Sequence, residues 1–177
     1  KTFQTYNTDT DLQKYLKGKC IAYAKKPEGW LSILGQSDTG KTHLGIATAK
    51  NIVALNYGVN YKAKYLIWTD FTTTFEYGTI DKKEYNEIVN ADLLYIDDLL
   101  KAESIQDLSK TEKKMAWSII NARYLSDKIT IITSEWTADD FIEIDFAFGR
   151  RIIERSGDNL LQIKKDRKGS YNLGGIE

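Results

Sequence analysis

Gly35-Gln36-Ser37-Asp38-Thr39-Gly40-Lys41-Thr42 is the stretch that decides how this chain folds. The eight residues fit the pattern G-x-x-x-x-G-K-[ST]. They follow the apolar run Trp30-Leu31-Ser32-Ile33-Leu34, which reads as a buried strand, and they open a helix expected from Lys41 to about Tyr57, closed by Gly58. A strand, a tight loop and a helix start in that order make a phosphate cradle. The glycines let the backbone curl so that successive N–H groups point inward at phosphate oxygens. The helix start adds free N–H groups and the positive end of its dipole. In this reading Gly35, Gln36, Ser37, Asp38, Thr39 and Gly40 wrap the phosphates, Lys41 reaches the β- and γ-phosphates, and the Thr42 hydroxyl ligates Mg²⁺. The implied ligand is a nucleoside triphosphate with Mg²⁺. Asp38 would repel phosphate if it pointed inward, but aspartate tolerates left-handed backbone and can hold a turn facing water. His43, the single histidine, is grouped with the nucleotide-contacting residues, although a packed or hydrogen-bonded helix position is its more ordinary role.

A second acidic element lies downstream. Leu93-Leu94-Tyr95-Ile96 reads as an apolar strand that delivers Asp97 and Asp98 at its C-terminal end, the edge where open α/β sheets bind ligands. Asp97 is the expected Mg²⁺ ligand. Asp98 is placed to orient or deprotonate the attacking water, the alternative being a cap on the next turn. Between loop and acids in sequence runs another strand, Tyr61 to Trp68. After the acids comes Ile129 to Thr133, ending in Thr133-Ser134-Glu135, where a polar residue could sense the γ-phosphate or simply turn the chain.

The remaining pattern alternates helices with strands. A helix is expected over Asp9 to Lys25, capped by Thr8 or Asp9, with Leu12, Tyr15, Leu16 and Cys20 on one face. Thr69 to Tyr77 and Asp81 to Val89 read as shorter helices separated by Gly78. A long helix covers Ser109 to Ser126 with Met115, Ile119, Ala122 and Leu125 on its apolar stripe. Another covers Asp145 to Arg155, and Leu160 to Ile163 gives a fifth strand. Alternation of this kind implies right-handed crossovers and a parallel sheet covered on both faces. The fold class is therefore α/β, a P-loop NTPase with a central five-stranded parallel sheet. One domain is expected over 1–177, with 1–29 as entry segment and first helix and 30–177 as the ATPase core.

Composition agrees. At 177 residues, 42% apolar and 28% charged, the chain can bury a core and is too apolar to be disordered. It contains no apolar run long enough to cross a bilayer, so no membrane partner is expected. One cysteine, Cys20, excludes an internal disulfide and fits a reducing, cytoplasmic setting. Basic and acidic residues are equal at 25 each, yet they are segregated. Gly149 to Ser170 holds seven basic and three acidic residues, whereas Asp92 to Asp107 holds five acids and one lysine. Such segregation marks either a phosphate or nucleic-acid contact or a solvated face.

Taken in order, GQSDTGKTHL, LLYIDDL, TIITSEW and FGRRIIERSGDN, with the entry segment Thr2-Phe3-Gln4-Thr5-Tyr6, resemble the AAA+ ATPase domain of the DnaC/DnaI-type replicative helicase loaders and the related IstB-type transposition ATPases. A phage-encoded member fits the pattern. The resemblance implies Walker A at Gly35 to Thr42, Walker B at Asp97 and Asp98, and sensor 1 at Ser134-Glu135. It implies an arginine finger at Arg151, with Arg150 as nearest substitute and Arg155 as the second basic position. It also implies adenine as the base, a replicative DNA helicase and single-stranded DNA as partners, self-association through the ATP site, and no separate C-terminal lid domain. DNA contact would fall on Lys164, Lys165, Arg167 and Lys168, or on Lys62 and Lys64.

The sequence departs from the family pattern in three ways. Asp38 stands where the family usually has glycine, and Glu135 where it usually has asparagine. A carboxylate donates no hydrogen bond to phosphate unless protonated, so hydrolysis is expected to be slow or sensing to fall to Ser134. The usual N-terminal helicase-gripping segment has no counterpart. Three further readings stay open: a transposition ATPase, an ATP-gated scaffold without turnover, and a small P-loop kinase, the last disfavoured by the strand between loop and acids.

Overall fold

The computed structural model describes the chain apart from residues 57, 75–79, 166–170 and 174–177. Its organising element is β1 (Trp30–Gly35), buried along its whole length. β1 pairs in parallel with β4 (Ile129–Ser134) on one side and β5 (Leu160–Lys165) on the other. β4 pairs with β3 (Leu93–Asp97), and β3 with the edge strand β2 (Ala63–Ile67). The order β2-β3-β4-β1-β5 gives the five parallel strands expected. A sixth, β6 (Tyr171–Leu173), adds antiparallel to β5 and was not foreseen, because three residues carry too little pattern.

Strand alternation sorts the core into two layers. Leu31 and Ile33 of β1, Leu93 and Tyr95 of β3, and Leu161 and Ile163 of β5 pack against α1 (Asp11–Lys25) and α2 (Lys41–Leu55). Trp30, Leu34, Leu94 and Ile96 point the other way, into α5 (Lys110–Leu125), α6 (Ala138–Ile144) and α7 (Phe146–Ser156). α3 (Trp68–Thr73) and α4 (Lys82–Asn90) lie between β2 and β3 in sequence. Leu34 opposite Ser134, and Ile67 opposite Asp97, bring the exits of β1, β3 and β4 to one edge. β4 lies between the loop strand and the acidic strand.

Several expected boundaries shift for local reasons. α1 is capped by Thr10 rather than Thr8 or Asp9, because Thr10 and Gln13 close a reciprocal capping box at 3.2 and 3.0 Å. α2 ends at Leu55 with Asn56 as its C-cap, before Gly58. Trp68 opens α3 instead of closing β2, and Gly78 lies outside the described residues. The second late helix is two, with Asp145 ending α6 and capping α7 through Phe148 N at 2.8 Å.

The α5 stripe is displaced. Ala116, Ile119, Ile120 and Arg123 are buried, whereas Leu125 is 73% exposed. Arg123 occupies a core position because its guanidinium finds oxygen atoms there. Nε donates to Thr130 Oγ1 at 3.1 Å, Nη1 to Val89 O at 3.2 Å and to Ala91 O, and Nη2 to Ile129 O. Burial draws its pKa down to about 10, so the charge persists at neutral pH. This clamp ties the end of α4 to the starts of β3 and β4, at the sheet edge opposite the loop. Replacing it leaves buried carbonyls short of a donor, at about 1–3 kcal/mol each. Arg123→Met is expected to lower unfolding free energy by roughly 3 kcal/mol in urea titration; an unchanged midpoint would contradict the clamp.

Candidate functional site

The loop between β1 and α2 takes the shape its sequence promised. Asp38 has φ +62° and is exposed, holding a left-handed turn at the rim of the cleft that it helps to line. Gly40 has φ +80° and lies under the Tyr6 ring, where a Cβ would stand 2.7 Å from the ring edge. The entry segment thus straps the loop: Tyr6 OH donates to Thr39 O at 3.4 Å, and His43 Nε2 sits 2.8 Å from Thr2 O and 3.3 Å from Thr5 Oγ1. His43 therefore anchors residues 2–5 and also lines the cleft beside Thr42. Gln36 and Ser37 are exposed, and Gln36 O accepts both Thr39 Oγ1 at 3.1 Å and Lys41 Nζ at 2.6 Å. Lys41 is only 5% exposed, and burial lowers its pKa against the opposing pull of Glu135, Asp98 and Asp38. Its ammonium is held at the loop, within the turn that would receive phosphate.

Asp97 is the hub of the site. Oδ1 accepts from Thr42 Oγ1 at 3.0 Å, Tyr95 OH at 2.7 Å and Thr133 Oγ1 at 2.6 Å; Oδ2 accepts from Tyr65 OH at 2.9 Å. Tyr95 and Asp97 share a face because they are two apart on β3. Tyr65 reaches across from β2 and stacks on Tyr95 with centroids 5.0 Å apart. Burial and the Asp97 charge push both phenols far above their usual pKa, which keeps them donors. Tyr95 fits because Gly45 of α2 presents no Cβ, which would overlap its hydroxyl. One hydroxyl and one carboxylate in contact are hard oxygen donors of the kind Mg²⁺ takes. Among the described residues no cluster of three or more His, Cys, Asp or Glu forms a metal cage. Mg²⁺ fits such a site, since it is usually held by one or two protein groups plus phosphate oxygens.

Asp98 has φ +55° and a half-buried carboxylate 3.0 Å from Lys101 Nζ. The same ammonium lies 3.1 Å from Glu135 Oε1. Ser134 is fully buried; its hydroxyl donates to Leu99 O at 2.7 Å and accepts from Trp136 N at 3.1 Å. Both bonds of that hydroxyl are thus made to backbone. Ser37, Gly40, Lys41, Thr42, Asp98, Lys101 and Glu135 line one cleft of about 400 Å³. A larger groove of about 1000 Å³ runs beside β2 and α4, lined by Lys62, Lys64, Lys82 and Lys83. The smaller cleft is the candidate site, because the converging charged groups are there.

The expected arginine finger is not free. The Arg151 guanidinium lies over Trp117 and Tyr124 of α5, 5.2 and 5.4 Å from the ring centroids, and Nη1 donates to Ala147 O at 3.1 Å. Arg155 pairs with Asp127. Arg150 is exposed, so the expectation for a trans-acting arginine moves to that neighbour. Lys164 faces Asp139 at 3.8 Å, whereas Arg167, Lys168 and the side chain of Lys165 lie outside the described residues. Missed from sequence were Tyr65, Tyr95, Thr133 and Lys101; LLYIDDL contains the Tyr95–Asp97 spacing, the one signal available.

Comparison with known proteins agrees with this geometry. The chain matches the family described as IstB-like ATP binding protein over residues 3–154. It is 32% identical over 136 residues to the phage-like element PBSX protein XkdC of Bacillus subtilis (strain 168), covering 76% of this chain and 50% of that one. The chain thus spans about half the length of the curated relatives it matches. Among solved structures, the DnaC helicase loader superposes with TM-score 0.68 at 20% identity, covering 91% of this chain and 94% of that one. DnaI superposes with TM-score 0.71 at 13% identity, covering 94% and 89%. The fold is the P-loop AAA+ fold of these neighbours.

The Asp97 cluster yields a test. Gly45→Ala should displace Tyr95, and Tyr95→Phe should remove one donor. Each is expected to weaken Mg²⁺-dependent ATP binding roughly fivefold in calorimetric titration, about 1 kcal/mol of a charge-assisted bond. Nucleotide affinity without Mg²⁺ should barely change; an equal loss in both conditions would show that the cluster only shapes the loop.

Proposed function

The chain belongs to the IstB-like ATP-binding family, and from that premise we propose that it is an ATP-hydrolysing helicase loader. The observation that carries the reading is Thr42 Oγ1 at 3.0 Å from Asp97 Oδ1, with β4 between their two strands. That pairing puts the hydroxyl and carboxylate needed for a Mg²⁺-bound triphosphate at the mouth of the loop. Lys41 would leave Gln36 O for the phosphates, and Thr42 with Asp97 would hold Mg²⁺, which offsets charge on the phosphate oxygens when bound. Asp98 would take the proton of the attacking water. Arg150 of a neighbouring copy would meet charge developing on the transferred phosphoryl group, the reason for proposing self-association through the ATP site. Residues 1–177 act in this reading as one ATPase domain.

The partners proposed are a replicative DNA helicase and single-stranded DNA. A neighbour in fold is the DnaC helicase loader, and a solved DnaA neighbour is bound to AMPPCP and single-stranded DNA. In this chain the groove beside β2 carries Lys62, Lys64, Lys82 and Lys83 along with Asp81 and Glu87, and its lysines are the groups offered to a phosphate backbone, Lys64 being paired with Glu87 at 3.1 Å. No helix among the described residues is long and apolar enough to cross a membrane; a cytoplasmic setting is part of the proposal. A second reading, an ATP-gated scaffold without turnover, is favoured by the Asp98–Lys101 pair, which occupies the proposed base.

Gel filtration with a bacterial replicative helicase tests the reading. Co-elution should require ATP and Mg²⁺ and be lost in Lys41→Ala; ATP binding without any co-elution would shift the assignment to a transposition partner. Multiple-turnover phosphate release should be detectable and fall at least tenfold in Arg150→Ala, by analogy with trans-acting arginines; no release in any condition would favour the scaffold. Lys62→Ala with Lys82→Ala should weaken single-strand binding and flatten its salt dependence, and unaltered binding would move the DNA contact elsewhere.

A further inference from the structure

The chain leaves β3 through a strained turn. Asp98 and Leu100 both have φ +55°, a conformation that costs a non-glycine residue about 1–2 kcal/mol. Such strain persists where the surroundings over-determine it, and here they do. Asp98 N donates to Thr133 Oγ1 at 3.1 Å, Leu99 N to Thr133 O at 2.9 Å, Ser134 Oγ to Leu99 O at 2.7 Å, and Trp136 Nε1 to Leu100 O. Leu99 and Leu100 are fully buried beneath the turn. The product of this arrangement is the position of Lys101, turned back over the cleft to bridge Asp98 from β3 and Glu135 from β4. Its side chain is 41% exposed, and ion pairs that open to water contribute little stability. The pair therefore gives no adequate reason for the strained turn that delivers it.

The cleft supplies a reason. Asp38, Asp97, Asp98 and Glu135 stand around a loop built for a polyanion, and Lys1 and Lys101 line the cleft beside Lys41; of these two, Lys101 is the one bridged to Asp98 and Glu135. At the β4 exit the residue is a carboxylate, which cannot donate to phosphate, whereas an ammonium brings three donors. Hydrogen bonding to Asp98 raises the Lys101 pKa, so the charge is in place at neutral pH. Lys101 lines the same cleft as Lys41 and Thr42.

We propose that Lys101 is a γ-phosphate-binding residue, held by Asp98 and Glu135 and transferred to the γ-phosphate when a triphosphate fills the loop. Glu135 is then the anchor of the sensor and not the sensor itself. The same movement leaves Asp98 unpaired beside the γ-phosphate, so its carboxylate becomes available only when a triphosphate is present. A diphosphate offers nothing at that distance and leaves the bridge closed. The inference rests on the nucleotide reading of the loop and adds the group that distinguishes ATP from ADP.

Calorimetric titration with Mg²⁺-ADP and with Mg²⁺-AMPPCP separates the two levels of the argument. Lys101→Met is expected to weaken AMPPCP about tenfold while ADP affinity stays within about twofold. Lys101→Arg should retain most of the preference, and Glu135→Gln should keep it because the lysine remains. Equal effects of Lys101→Met on both nucleotides, or none on either, would reduce Lys101 to a surface ion pair and overturn the proposal. Loss of preference in Glu135→Gln but not in Lys101→Met would overturn it in favour of Glu135. Binding of neither nucleotide by the wild type would overturn the nucleotide reading, and this inference with it.

Discussion

Four hydroxyl groups, from Thr42, Tyr65, Tyr95 and Thr133, converge on the Asp97 carboxylate, and the ligand edge of the sheet is arranged around that convergence. A carboxylate that is only 5% exposed needs donors if it is to stay ionised. Each donor comes from a different element: the α2 start, β2, β3 itself and β4. Satisfying Asp97 therefore fixes the heights of three strands and one helix at the edge where the loop opens. Gly45 completes the arrangement by leaving room for the Tyr95 hydroxyl. The cluster also joins an exposed strand edge to the Asp97 carboxylate, because Tyr65 is 45% exposed while its hydroxyl touches Asp97.

Charge is the second constraint on the site. Four carboxylates surround a cradle whose backbone attracts anions, and the structure deals with each one separately. Asp38 is exposed at the rim, Asp97 is covered by hydroxyls, and Asp98 and Glu135 share Lys101. Departures from the family pattern at Asp38 and Glu135 are thereby accommodated one by one. Asp38 replaces glycine at a left-handed position it tolerates, and Glu135 gains a cation in place of a neutral donor.

How far the sequence revealed this depended on how local each signal was. The loop was legible because spacing, flanking strand and following helix lie within one short segment, and each glycine carries its own reason. Strand number among the parallel strands was legible from apolar runs broken by polar turns. Tyr65 and Thr133 were not, because their contacts with Asp97 depend on register between strands distant in sequence. Lys101 was hidden by a turn with two left-handed residues that no spacing rule anticipates. Arg123 shows the opposite failure: a charged residue on a helix reads as surface, and it is buried only because carbonyls from the end of α4 and the start of β4 meet there. Arg151 was read as reaching outward from its place in FGRRIIER, yet Trp117 and Tyr124 one helix away hold it against its own chain.

A crystal structure of the complex with Mg²⁺-AMPPCP tests the central claim most directly. The account predicts phosphates wrapped by residues 35–42, Mg²⁺ on Thr42 Oγ1 and the Asp97 carboxylate, and Lys101 Nζ moved onto the γ-phosphate with its bridge to Asp98 broken. Nucleotide bound elsewhere, or bound in the loop with Lys101 still bridging Asp98 and Glu135, would contradict it.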